Sequence, residues 1–357
     1  MVTLATKNNG SLWGSIRKPG ELDRESYLRL IRRIRVFVIV GFIASLIAFI
    51  VIAYLSGFGR VLHDIESSNL ALYAMAFVSA IISLLLGFGK WTYYMKKLKL
   101  SVPLRKNFAV YMSLYSMELT PGRIGRLVVA YTLNRITKIR FVKIMPIITV
   151  DIFTDFLGMA ILALMAAIYF HMDTLLIAVL DIVILLPFLF LLNDWLFNLF
   201  KKILSKSKFL EKFSLYGEEY FMSQHKLNTM KVYTVSLVFA LPSALFMSLA
   251  LYFTLLSLGV VNVGPVASTF VFSSSTVIGM VTGIPGNIGI TDGAMVTFIS
   301  TVLGQSVPIA AAATVMSRVA TLWFIIIIGT GFLFYTLSYW DHGEKGKSRK
   351  RPRDRSA

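Results

Sequence analysis

Arg123, Arg126 and Arg318, together with Glu118, Asp151, Asp155 and Asp292, lie within long apolar stretches. A five-residue pattern accompanies them twice, as Pro121-Gly122-Arg123-Ile124-Gly125 and as Pro285-Gly286-Asn287-Ile288-Gly289. Ionisable groups at hydrocarbon depth are expensive and mark functional positions. A helix-breaking Pro-Gly at that depth is tolerated only where the loosened backbone is buried in protein or lines a cavity. In the first copy Thr120 supplies an N-cap hydroxyl and Pro121 a first helical residue. A half-helix is therefore expected from 121, its positive end inside the membrane and Arg123 and Arg126 on its first turns. In the second, Thr282-Gly283-Ile284 precede Pro285, and Asn287, Thr291 and Asp292 follow on the equivalent half-helix.

Helix N-termini and guanidinium forks are the devices that hold phosphate best. The expected substrate-binding set is thus Thr120, Pro121, Gly122, Arg123, Arg126, Pro285, Gly286, Asn287, Asp292 and Arg318, around a phosphate or phospholipid headgroup near the midplane. Asp151 and Asp155 are one helical turn apart and share a face. They either pair with Arg123 or Arg126 or take up a coupling proton. Glu118 precedes the first break, where a carboxylate at a helix C-terminus calls for a compensating arginine. Arg126 has a second reading, as a residue snorkelling to the interface. Arg318 stands alone in the last apolar stretch and takes Asp292 or Asp155 as partner. The run Phe272-Ser273-Ser274-Ser275-Thr276 either bonds a headgroup or allows close helix packing. His63, His171, His225 and His342 have no metal-binding spacing, and no cofactor is expected.

These groups must be held by an all-α polytopic membrane protein. Of the 357 residues, 56% are hydrophobic and only 15% charged, a composition no soluble globule has. Six apolar runs, at 36–55, 70–89, 146–170, 174–197, 232–258 and 309–339, approach or exceed the roughly 20 residues a spanning helix needs. Two further stretches, 107–134 and 265–303, contain the breaks and read as re-entrant hairpins or broken helix pairs. Repeat one is then 36–170 and repeat two 174–339. A cytoplasmic linker at 198–231 is expected to be helical and interfacial. The membrane domain at 34–340 is flanked by a basic arm at 1–33 and a basic tail at 341–357.

The 36 Lys and Arg residues against 18 Asp and Glu give a net charge of +18. They concentrate in the arm, in 90–106, 135–143 and 201–231, and in the tail, leaving Arg60 alone for the opposite side. By the positive-inside bias both termini are cytoplasmic at the cell membrane. The same map makes the two breaks enter from opposite faces, as inverted repeats around a transport site do. The basic face suits anionic lipid headgroups, at roughly 1 kcal/mol per residue, and not nucleic acid, for which no recognition fold is present. Absence of cysteine excludes thiol catalysis and thiolate metal sites.

The run Leu119-Thr120-Pro121-Gly122-Arg123-Ile124-Gly125-Arg126, followed by Gly283-Ile284-Pro285-Gly286-Asn287-Ile288-Gly289-Ile290-Thr291-Asp292-Gly293-Ala294, resembles the flippase-like transmembrane domain of the lysylphosphatidylglycerol synthase family. The resemblance spans roughly 35–340. It implies movement or presentation of an anionic or aminoacylated phospholipid, or of a polyprenyl-phosphate-linked glycan. Three positions depart from the family pattern: Arg126 replaces a usual acidic residue, Asn287 a common glycine, and Asp292 a usual glutamate. No soluble aminoacyl-transferase domain accompanies the sequence, so lysinylation is not expected of it. The leading expectation is a flippase or lipid transporter and not an enzyme. The alternatives are an integral-membrane lipid-phosphate transferase using Asp151 or Glu118 as base, and a non-catalytic partner that docks a glycosyltransferase or lipid synthase.

Overall fold

The computed structural model describes residues 24–120, 125–126, 133–134, 141–170 and 222–348. Among these, every regular element is helical. They are α1 (Arg24–Leu55), α2 (Phe58–Glu66), α3 (Leu70–Lys97), α4 (Leu104–Ser113), α5 (Phe141–Tyr169), α6 (Met230–Ser257), α7 (Pro265–Val281), α8 (Ile290–Thr301), α9 (Val307–Arg318) and α10 (Phe324–Ser348). A 3-10 turn, Leu114–Met117, continues α4. A single wide π-type turn, Val319–Trp323, joins α9 to α10.

Four segments are long and apolar enough to cross a membrane: Leu70–Lys97, Lys143–Tyr169, Met230–Ser257 and Val307–Thr336. They match the expected runs at 70–89, 146–170, 232–258 and 309–339. The run at 36–55 belongs to α1, which bends by 106° into α2 at Gly57, where φ is 89°. The run at 174–197 lies outside the described residues, as does 198–221 of the expected linker; 222–227 is helical. Helix α1 already begins at Arg24, inside the expected arm, and α10 continues to Ser348, past the expected edge at 340.

Large apolar side chains on the outer surface, among them Ile43, Ile47, Val78, Leu85, Met165, Val238, Ile327 and Phe334, are exposed. On helices this long such a surface belongs in lipid, and the chain is a membrane protein.

Helices α3 and α6, each 28 residues long, form the central pair. Asn69 caps α3 by accepting from the N–H groups of Ala71 and Leu72, and Thr229 caps α6 at Val232. Their contact uses small residues, since close approach drives helix association in lipid. The Ser83 and Ser243 hydroxyls lie 2.8 Å apart, and Gly89 leaves room for the Phe239 ring. Gly87 makes space for Tyr111 of α4, whose hydroxyl donates to the Leu84 carbonyl at 3.1 Å. Gly158 sets α5 against the Ala240 backbone, and Gly329 sets α10 against the backbone of Met112 to Ser116. The Asn69 N–H donates to the Ser257 carbonyl at 2.8 Å, so the start of α3 adjoins the end of α6.

Candidate functional site

The first break begins where the 3-10 turn ends. The Thr120 hydroxyl donates to the Met117 carbonyl at 2.6 Å and accepts from the Gly125 N–H at 2.9 Å. It thereby ties the chain before the break to the chain after it. The bond spans five residues, Gly125 lies in a turn and Arg126 is helical; the expected helix start at 121 lies outside the described residues. Pro121, Gly122 and Arg123 lie outside the described residues.

Arg126 is buried within the protein, 2% exposed. Its Nε donates to Glu118 Oε1 at 3.0 Å, its Nη2 reaches the same carboxylate, and its Nη1 lies 3.4 Å from Asp151 Oδ2. The guanidinium carbon stands 5.3 Å from the centre of the Tyr115 ring, within cation–π range. Asp151 turns its other oxygen, Oδ1, to Lys90 Nζ at 3.1 Å. Lys90 also pairs with Asp155 and donates to Thr154 Oγ1 at 3.1 Å. Among the described residues two cations and three carboxylates thus form one largely buried network, with Asp151 as the bridge between Lys90 and Arg126.

Lys90 is a correction to the sequence reading, which placed it in a basic loop. Helix α3 continues a further turn and more beyond residue 89, and Lys90 is 1% exposed within it. The signal was present in the buried stripe Ala76, Ala80, Ser83, Gly87, Lys90 and Tyr94, whose steps of three and four residues run unbroken through the lysine.

At the second break the helix begins later than the Pro-at-first-position rule suggests. Pro285–Asn287 form a short 3-10 turn, and α8 starts only at Ile290. Gly286, Asn287 and Gly289 have φ of 62°, 56° and 82°, left-handed conformations that delay the helix. Asn is the side chain that best replaces glycine in that region, which accounts for Asn287 where the resemblance leads one to expect glycine. Asp292, fully buried, accepts from the Gly289 N–H at 2.8 Å through Oδ2. Its Oδ1 lies 2.8 Å from Arg318 Nε, and Arg318 Nη2 donates to the Gly286 carbonyl at 2.6 Å. Of the two expected partners Arg318 takes Asp292.

The two breaks touch. A side-chain carbon on Gly286 would stand 2.7 Å from a Leu119 methyl. Leu119, Leu322 and Ile326 form one buried cluster with Ile288 and Trp323 packed on it. Helix α1 closes this contact: Gly41 admits Leu119, and Ser45 accepts from Trp323 Nε1 at 3.2 Å. Each buried arginine is therefore held by a carboxylate close to the junction. In α7, Ser273 shares a 3.3 Å contact with Ser248, whereas the buried hydroxyls of Ser274 and Ser275 have no partner among the described residues.

A comparison with protein-family models matches residues 38–329 to the lysylphosphatidylglycerol synthase TM region. A comparison with curated proteins gives no match.

Proposed function

The chain belongs to the lysylphosphatidylglycerol synthase TM-region family, and on that premise we propose that it is a flippase at the cell membrane. Its cargo is an anionic or aminoacylated phospholipid or a polyprenyl-phosphate-linked lipid, which it carries without chemical change. The observation that carries this reading is the meeting of the two Pro-Gly breaks at Leu119 and Gly286, with an ion-paired buried arginine beside each. A lipid phosphate offers an arginine the same bidentate geometry that a carboxylate does. Cargo therefore enters by counter-ion exchange: it displaces Glu118 from Arg126 or Asp292 from Arg318, and the freed carboxylate takes solvent or a proton. The unpartnered Ser274 and Ser275 hydroxyls supply further donors.

Inverted repeats provide the motion. In support, α3 and α6 have equal length, each is followed by a short link, a further helix and a Pro-Gly break, and a segment long enough to span, α5 or Val307–Thr336, lies further along after each break. The ends of α7 and α8 also suit a re-entrant hairpin. The end of α6 adjoins the start of α3, and α2 packs beside the start of α9, so α7 leaves from and α8 returns to one side. Rocking one repeat against the other parts Leu119 from Gly286 and Ile288 and opens the site to one face at a time. Both termini lie on the basic, cytoplasmic side.

The chain has no cysteine, which gives a clean background for a cross-linking test. Leu119→Cys with Ile288→Cys, oxidised in liposomes, abolishes lipid scrambling, and reduction restores it. Arg318→Gln lowers transport of phosphate lipids in the same assay. Undiminished scrambling by the fully cross-linked protein overturns the proposal.

A further inference from the structure

At the elbow between α1 and α2 the chain leaves lipid. Tyr54 and Leu55, at the end of α1, are 77% and 76% exposed, and the 106° bend lays the nine residues of α2 across the end of the bundle. Helix α2 has three distinct faces. Val61 is buried, with Ile65 beside it, against Ala311 and Ala312 of α9. Phe58 and Leu62, one turn apart, are exposed. Arg60, His63 and Asp64 line a hollow of about 360 Å³ whose far wall is Ser306, Pro308 and Ile309 at the start of α9. An amphipathic helix that presents apolar side chains outward and charges to one side lies at the boundary of acyl chains and headgroups.

Arg60 and Asp64 are four residues apart on one face, yet neither forms an ion pair or a side-chain hydrogen bond among the described residues. Arginine preceding aspartate is the less favourable order for such a pair on a helix. A free guanidinium and a free carboxylate therefore stand side by side in one hollow at headgroup depth. We propose that this hollow binds the headgroup of a phospholipid bearing both a phosphate and an ammonium group. The phosphate lies on Arg60, the ammonium on Asp64, and an acyl chain over Phe58 and Leu62. The site is remote in sequence from the arginine clusters of the two breaks. It concerns lipid binding at a surface and holds whether or not the lipid is then carried across.

The test is native mass spectrometry of the full chain in detergent, titrated separately with phosphatidylethanolamine and phosphatidylglycerol. Arg60 and Asp64 are on the surface, so their substitution leaves the fold intact. Wild type binds phosphatidylethanolamine more tightly than phosphatidylglycerol. Arg60→Gln weakens both lipids about tenfold, the loss of one charge-assisted contact. Asp64→Asn weakens phosphatidylethanolamine by a similar factor and leaves phosphatidylglycerol unchanged or tighter. An unchanged preference in Asp64→Asn, or unchanged affinity for both lipids in Arg60→Gln, overturns the assignment. Liposome scrambling by the same variants reports separately on transport.

Discussion

Replacing Asp292 by Asn and Arg318 by Met, singly and together, measures what the lock at the second break contributes. Both side chains are buried, at 0% and 9% exposure. Removing one member of a buried ion pair costs about 3–5 kcal/mol, because the other charge is left without compensation. Asp292→Asn keeps an oxygen for the Gly289 N–H, so the cap survives and the loss is the ion pair alone. Arg318→Met also releases the Gly286 carbonyl, a further cost of about 1–3 kcal/mol. In the double variant no charge is orphaned, and only the lost bond to Gly286 and imperfect packing remain, about 1–2 kcal/mol. The coupling energy of the cycle is then about 5 kcal/mol or more. At about 2 °C per kcal/mol, Asp292→Asn loses about 6–10 °C in Tm, Arg318→Met about 8–16 °C and the double about 2–4 °C. Thermal unfolding in detergent, followed by intrinsic tryptophan fluorescence, reads these shifts. A double variant whose loss equals the sum of the singles refutes mutual neutralisation, and so does a single variant with no shift.

Lys90→Met takes away one of the two cations that hold Asp151 and lowers stability by up to about 3–5 kcal/mol, while Lys97→Met, exposed at the end of α3, changes it by less than about 0.5 kcal/mol; the same unfolding assay compares them. Asn287→Ala costs about 1–2 kcal/mol because φ is 56°, and Asn287→Gly is close to neutral, as paired melting curves will resolve. Thr120→Val removes both bonds that close the first break, and hydrogen exchange at the Gly125 amide rises at least about fivefold, for a loss of about 1–3 kcal/mol. Gly286→Ala collides with Leu119 and depresses transport, and Leu119→Ala in that background restores part of it.

The long helices α3, α5 and α6 were legible because an uninterrupted apolar run of their length has one reading in a membrane protein. The repeated Pro-Gly pattern marked both breaks, and the rule that an intramembrane charge needs a partner narrowed Arg318 to Asp292 or Asp155 and Asp151 to Arg123 or Arg126, of which the structure has Asp292 and Arg126. What sequence reasoning misplaced follows from where polarity changes. Lys90 stands at the edge of a basic run, so a hydropathy boundary falls before it, whereas helical periodicity carries it inside. The start of α8 was misplaced because proline at a first helical position outweighed the glycine and asparagine after it, whose left-handed backbone postpones the helix to Ile290. That Leu119 meets Gly286 was not legible at all. Contact between distant segments depends on tertiary packing, and neither residue carries a local mark of it.

The π-type turn at Val319–Trp323 acts as a phase shifter. One extra residue in a turn rotates everything beyond it by about 100° relative to a regular helix. Before the turn, Arg318 points to α8; Trp323, the last residue of the turn, meets Ser45 of α1, and beyond it Gly329 lets α10 lie against the chain leading into the first break. A regular helix with Arg318 in place would turn a bulkier neighbour of Gly329 toward that backbone. The surplus residue is thus what allows one continuous segment to grip both breaks at once, and deleting it would force the segment to choose between them.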